Sequence, residues 1–571
     1  VIRSTPYETR PRLRCTNGVV STSHWLATTV GLKVFEGGGN AFDVAVAVAF
    51  ALHVVEEDYN GLGGEAAILG YDAGTAEVFS ICGQGPAGKA ATIDLFQSHR
   101  IRRIPIEGAA AALVPGAFDA WMLLFRDRGT LRLAEVVRPA IALAQTGLLL
   151  SYRFINKVTR RKERFSSSWP SSADVYMPGG NLPDDQTIFR NLDLARTYER
   201  ILDAAEASGG DRVAQIEAAR AFFYRGPIAE ETSAFLDGLR EKPRDKTDAA
   251  ITLTLDDLRA WEATYEPVVS AVSCGMRVFK CGPWTQGPVL LQHLLAFEKV
   301  DGTYAGSNCP AFYHDFIETA KLAYADRDRW YADPRLRTTP LDLLLSEEYA
   351  REQARRVNPA VDPVGGEREM SLGEPKHSDT CHFDIVDRNG NLLSATPSGG
   401  WFQDSPTIPG LGFSLNTRLQ CFSLDSRDPN ALVPGVRPRT TLTPGLAFET
   451  GGDYALAFGS PGGDLQDQHA AAFLLRHRIF GLSMQQAIDA PSVVTETLRS
   501  TFPPFRTKIN DLALEGRAGQ DVIDDLLGRG HNVTVRPDWW IDPLTTAVSK
   551  RGAILEGAAS SRIAKALALG F

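Results

Sequence analysis

Thr380 stands where a chain could cut itself: it follows a polar stretch, 374–379, and opens a strand-like run over 381–387. If the Asp379–Thr380 peptide bond breaks, Thr380 carries a free α-amine beside its own hydroxyl. That amine can act as general base for a weak hydroxyl nucleophile. An isolated Thr ahead of a strand would mean only good strand propensity. The case rests on the partners that the downstream sequence can deliver.

A hairpin signal comes next. Asp387-Arg388-Asn389-Gly390-Asn391 separates the runs 381–386 and 392–396. A three-residue loop with Gly390 in the left-handed conformation is a common connection; it pairs Asp387 with Asn391, His382 with Thr396 and Thr380 with Ser398. Opposed residues share a sheet face, so Thr396 and Ser398 would flank the nucleophile. A two-residue Asn-Gly loop would shift the register by one and turn both away. Further on lie Arg437-Pro438-Arg439-Thr440-Thr441 and Gly459-Ser460-Pro461-Gly462-Gly463. The second is a tight glycine turn; it is either an ordinary turn or a pair of bare N–H groups able to stabilise an oxyanion.

These motifs, in order along almost the whole chain, resemble the γ-glutamyltransferase family of N-terminal-nucleophile hydrolases. The resemblance also rests on Gly37-Gly38-Gly39-Asn40-Ala41-Phe42-Asp43, Asn60-Gly61-Leu62-Gly63-Gly64, Val114-Pro115-Gly116, Thr254-Leu255-Asp256-Asp257-Leu258 and Ala323-Tyr324-Ala325-Asp326-Arg327. It implies an α+β fold of the four-layer αββα sandwich type, built jointly by a large subunit, 1–379, and a small subunit, 380–571. It implies that Asp379–Thr380 is the cleavage point and Thr380 the nucleophile. Thr396 and Ser398 fall where the family has hydroxyls near the new amine. Thr440 and Thr441 fall on a paired-serine substrate contact, and Gly462 and Gly463 on the oxyanion-hole glycines.

The departures bear on substrate. Where the family has an Arg that grips the glutamyl α-carboxylate, this chain has Cys82; where it has an Asp for the α-amine, Cys421; where it has a pocket Asn, Gly400. Hydrogen bonds to charged groups contribute about 1.5–3 kcal/mol each, so losing two anchors predicts γ-glutamyl recognition weaker by at least about a hundredfold. Arg418 could offer its fork to a substrate carboxylate, or form an ion pair at the surface or an interface. Gln84 adds a neutral donor and acceptor. The expected activity is hydrolysis of a small amide through an acyl-enzyme, with a dicarboxylic monoamide of oxamate or glutaryl type as substrate. A true γ-glutamyltranspeptidase, or glutathione hydrolase, is one alternative. A scaffold that never processes and only binds a ligand is another.

Composition fits that class. The chain has 571 residues, 44% hydrophobic and 23% charged, with a net charge of −9. That is globular composition, and the acidic balance argues against a nucleic-acid partner. Seven cysteines without a C-x-x-C pair, and histidines without ligand spacing, predict neither disulfides nor a metal site; no cofactor is expected. The apolar run Ala41–Val55 is too short to span a bilayer and is interrupted by Asp43 and His53; it reads as a buried helix capped by Asn40. No membrane association or targeting segment is expected, and reduced thiols suggest a cytoplasmic setting. The partners expected are an amide substrate and the two subunits of one precursor, with a homodimer of processed heterodimers as one assembly this allows.

Apolar periodicity predicts helices at Ala41–Val55, Ala117–Arg128, Leu133–Thr146, Leu192–Ala207 and 313–330, and strands around 381–396, Tyr454–Gly459 and 545–550. The Pro-, Gly- and charge-rich stretch 357–379 reads as a flexible approach to the cleavage point.

Overall fold

The computed structural model describes residues 8–361, 379–540, 544–562 and 565–571. Most of the stretch expected to approach the cleavage point, 362–378, lies outside them.

Two seven-stranded sheets form the centre. The first runs Leu567–Gly570, Gly18–Thr22, Phe383–Asp387, Leu392–Ser398, Glu65–Asp72, Glu77–Gly83, Thr264–Glu266. The second runs Leu13–Cys15, Ile554–Ala559, Thr546–Arg551, Tyr454–Gly459, Gly445–Glu449, Met276–Cys281, Val268–Ser273. Every neighbouring pair in both is antiparallel. Each sheet combines strands from both sides of position 379, so the two halves cannot be drawn as separate domains.

The sheets pack face to face over Val19, Leu69, Val386, Leu446, Ala457 and Val548. Helices cover both outer faces. On the first sheet lies Ala41–Val55, buried at every position, with Trp25–Glu36 and Ala117–Arg128 beside it. On the second lie Pro288–Phe297 and Gln466–Arg478. This is the four-layer αββα sandwich.

Local signals explain why the central elements start where they do. Asn40 accepts from the N–H groups of Phe42 and Asp43 while Asp43 reaches back to the Asn40 N–H, a reciprocal cap. The hairpin adopts the three-residue loop: the Asp387 N–H donates to Asn391 O at 3.1 Å, and Gly390 has φ 92°. Phe383 consequently faces Ala395, and Thr380 bridges Ser398.

Candidate active site

Thr380 is buried at the mouth of this hairpin, with its Oγ1 3.0 Å from Ser398 Oγ. Ser398 Oγ also donates to the Asp379 carbonyl oxygen at 3.0 Å and accepts from Arg418 Nη2 at 2.6 Å. A hydroxyl has one proton and two lone pairs. With the proton on the Asp379 carbonyl and one lone pair on Arg418, the remaining lone pair takes the proton of Thr380. One serine thus polarises the scissile carbonyl and receives the proton of the hydroxyl that would attack it.

Thr396 lies on the same strand but makes no hydrogen bond to Thr380. Its Oγ1 is 2.8 Å from His382 Nδ1, and His382 Nε2 is 3.3 Å from Asp384 Oδ1. Cys381 points to the opposite face, as alternation requires. There its thiol donates to Glu56 Oε2 at 3.0 Å and accepts from Asn60 Nδ2 at 3.1 Å. Burial and the neighbouring Glu56 carboxylate raise the thiol pKa well above the ordinary value, which removes it as a competing nucleophile.

Arg418 is not the open fork considered from sequence. It is buried, its Nε bound to Glu65 Oε1 and its guanidinium 4.5 Å from the Trp401 ring centroid and 5.5 Å from that of Phe502. The pair is internal, so the surface or interface reading does not hold either. Arg418 was legible as a functional candidate, but Glu65 was not: a pair 353 positions apart leaves no local signal.

The glycine turn follows the strand Tyr454–Gly459, whose last residue packs on the His382 ring. Gly462 and Gly463 have φ of 139° and 56°, and neither N–H has a protein acceptor among the described residues. Phe502 joins the turn to the nucleophile's surroundings, since it approaches both Gly463 and Arg418. Asp464 anchors the turn through Arg327 Nη1 at 2.5 Å and the Thr501 N–H at 2.9 Å. Arg439 Nη2 reaches Thr501 Oγ1 at 3.2 Å and so ties the double-Thr segment to the same anchor. Thr440 Oγ1 is used locally, accepting from the Leu442 N–H at 3.3 Å; the Thr441 hydroxyl has no protein partner among the described residues.

Gln84 is buried, and neither of its amide atoms has a partner among the described residues. Gly400 is pure backbone packing: φ is 72°, and an added Cβ would sit 3.0 Å from Gly64 N. Cys82 Sγ lies 2.9 Å from Arg437 Nη1, so a guanidinium does reach that position. It is already held by Asp333 at 3.0 Å and Glu266 at 2.7 Å. Burial pushes the Cys421 thiol up to about 12.

Asp379 itself is held by residues that motif reasoning did not single out. Lys157 Nζ is 2.6 Å from Asp379 Oδ1 and 3.2 Å from Asp58 Oδ2. The signal available in the sequence was Glu56-Glu57-Asp58, an acidic triplet directly after a helix that is apolar except at Asp43 and His53.

The Gamma-glutamyltranspeptidase family profile matches residues 27–569. A glutathione hydrolase-like YwrD proenzyme from Bacillus subtilis is 30% identical, covering 93% of each chain. An oxamate amidohydrolase proenzyme from Klebsiella pneumoniae is 28% identical, covering 96% of this chain and 97% of its own. A solved LmbA structure is 40% identical over 99% of this chain and 100% of the other, with a TM-score of 0.91. Other matches are named glutathione hydrolase or acylase proenzymes.

Proposed function

Because the chain belongs to the gamma-glutamyltranspeptidase family, we propose that it is a proenzyme that splits itself before Thr380 and then uses that residue to cleave small amides. The observation that carries this reading is the Thr380–Ser398–Asp379 arrangement. In maturation, Thr380 Oγ1 attacks the Asp379 carbonyl carbon, and Ser398 relays the proton, taking that of Thr380 as it passes its own to the developing oxyanion. The C–N bond to Thr380 breaks, the departing nitrogen takes the proton to become the α-amine, and water opens the resulting ester. The new amine has an ordinary pKa of about 7.7–8.0, suited to general-base work near neutrality.

In turnover the same oxygen attacks the substrate carbonyl while the α-amine takes its proton. The Gly462 and Gly463 N–H groups serve the oxyanion. The leaving amine departs protonated, and water or a second amine resolves the ester on Thr380.

For the acyl group, γ-glutamyl amides are the first substrates to test, since the names of the curated relatives favour glutathione-type chemistry. A second reading, a dicarboxylic monoamide, is favoured by a specific observation: the positions of the two expected glutamyl anchors hold buried thiols, and the guanidinium beside Cys82 is committed to two carboxylates.

Denaturing electrophoresis with N-terminal sequencing tests the first stage. The wild-type chain should yield 1–379 and 380–571, Thr380→Ala should stay whole and inactive, and Thr380→Ser should retain part of both activities. A Thr380→Ala chain that still splits before residue 380 overturns the reading; a wild-type chain that stays whole makes this protein a scaffold. Comparing γ-glutamyl-, glutaryl- and oxamyl-amides on matured protein then decides the acyl group.

A further inference from the structure

Asp379 is the residue whose carbonyl Thr380 would attack, so the maturation ester is an acyl-enzyme in which the acyl group is the chain's own aspartyl. Its side-chain carboxylate already occupies a built seat. Lys157, on the helix Tyr152–Ser167, places Nζ 2.6 Å from Asp379 Oδ1. Lys157 is fixed there by donation to the Asp58 carbonyl at 2.9 Å and by the Tyr59 ring, whose centroid is 4.5 Å away. Lys565 lies 4.7 Å from the same ring and 3.6 Å from Glu56 Oε1. Asp58 and Tyr59 are held in turn: Gln403 Nε2 donates to Asp58 O at 3.0 Å and Trp401 Nε1 to Tyr59 O at 2.8 Å. The seat is not sealed, since the Lys157 and Asp379 side chains keep 19% and 27% of their exposure.

Scission cuts the tether that holds this carboxylate beside Thr380. We propose that Lys157 then becomes the receptor for a free carboxylate on the substrate's acyl group, a subsite that the precursor fills with Asp379 and maturation opens. The inference rests on acylation of Thr380 and adds the acyl class. In an aspartyl group two carbons separate the acyl carbon from the carboxylate carbon, which is the spacing of a succinyl monoamide. Glutaryl and γ-glutamyl groups are one carbon longer. A lysine suits this role because an ammonium is a compact charge on a flexible stem.

The test compares succinyl-, glutaryl-, γ-glutamyl- and butyryl-p-nitroanilides on matured full-length protein. Removing the ammonium with Lys157→Met should raise KM for the carboxylated substrates by about tenfold or more, while Lys157→Arg keeps part of the affinity. The readout is the KM of each carboxylated substrate relative to that of butyryl-p-nitroanilide, which has no carboxylate to lose. Lys157 also holds the precursor, so Lys157→Met could block maturation; Asp58→Asn then supplies the opposite sign. It strips the competing anion from Lys157 and should lower KM for the carboxylated substrates only. If Lys157→Met or Asp58→Asn moves charged and uncharged substrates by the same factor, the subsite is overturned while amide hydrolysis stands. Loss of cleavage across all substrates in matured wild-type protein would instead remove the function itself.

Discussion

At residue scale the site is decided by who owns the proton of Ser398. Arg418 takes one lone pair of that hydroxyl, and this directs its proton to the Asp379 carbonyl; Glu65 in turn fixes Arg418. Glu65 and Arg418 are both buried, and breaking such a pair from one side costs about 3–5 kcal/mol because a charge is left uncompensated. Glu65→Gln should therefore lower Tm and slow self-cleavage together. The double variant Glu65→Gln/Arg418→Gln separates the two effects. With no charge left to compensate it should recover most of the stability, yet its cleavage should stay slow because nothing cationic polarises Ser398. Calorimetry and the rate of appearance of the 380–571 piece check this; recovery of both together would make the pair purely structural.

At element scale the hairpin is set by its loop, and its position by a second turn. Asn60-Gly61-Leu62-Gly63-Gly64 runs so closely against 398–400 on one side and Ser414 on the other that a Cβ on Gly64 would lie 2.4 Å from Ser398 O and one on Gly63 2.2 Å from Ser414 O. Gly64→Ala therefore cannot be absorbed by a flexible side chain. It should cost about 1–3 kcal/mol and displace Ser398, so that cleavage slows more than the Tm loss alone would give; the same pair of measurements applies. Elements of this kind were legible in the sequence. Ala41–Val55, Ala117–Arg128, Leu133–Thr146 and Leu192–Ala207 have the expected ends, because caps and apolar periodicity are local. The register of the hairpin was legible up to one choice, the loop length, which the bond from the Asp387 N–H to Asn391 O settles. What the sequence could not reveal is the long-range pairing of polar side chains. Lys157 with Asp379, Arg418 with Glu65 and Arg437 with Cys82 each join segments more than 200 positions apart. Nothing in composition or periodicity encodes such a pairing. Likewise periodicity separates helix from strand, but the stacking of two sheets between helices came from family resemblance.

At the scale of the molecule, scission before Thr380 should not release either piece. Phe383–Asp387 lies between Gly18–Thr22 and its own hairpin partner, and Leu392–Ser398 pairs with Glu65–Asp72. Gly445–Glu449 pairs with Met276–Cys281, and Leu13–Cys15 with Ile554–Ala559. The small piece is thus stitched into both sheets, and both helical layers bury contacts across the division. Matured protein should run as one species under native conditions and separate only in denaturant. Refolding should differ more sharply than stability. The uncut Thr380→Ala chain finds its partner strands within one molecule, so its refolding rate is independent of concentration. The matured protein must first bring two chains together, and association makes recovery depend on concentration. When association limits the rate, tenfold dilution should lengthen its refolding half-time by about tenfold, while leaving that of Thr380→Ala unchanged. Equal concentration dependence in the two would mean that the halves do not share their sheets in the way the strand order requires.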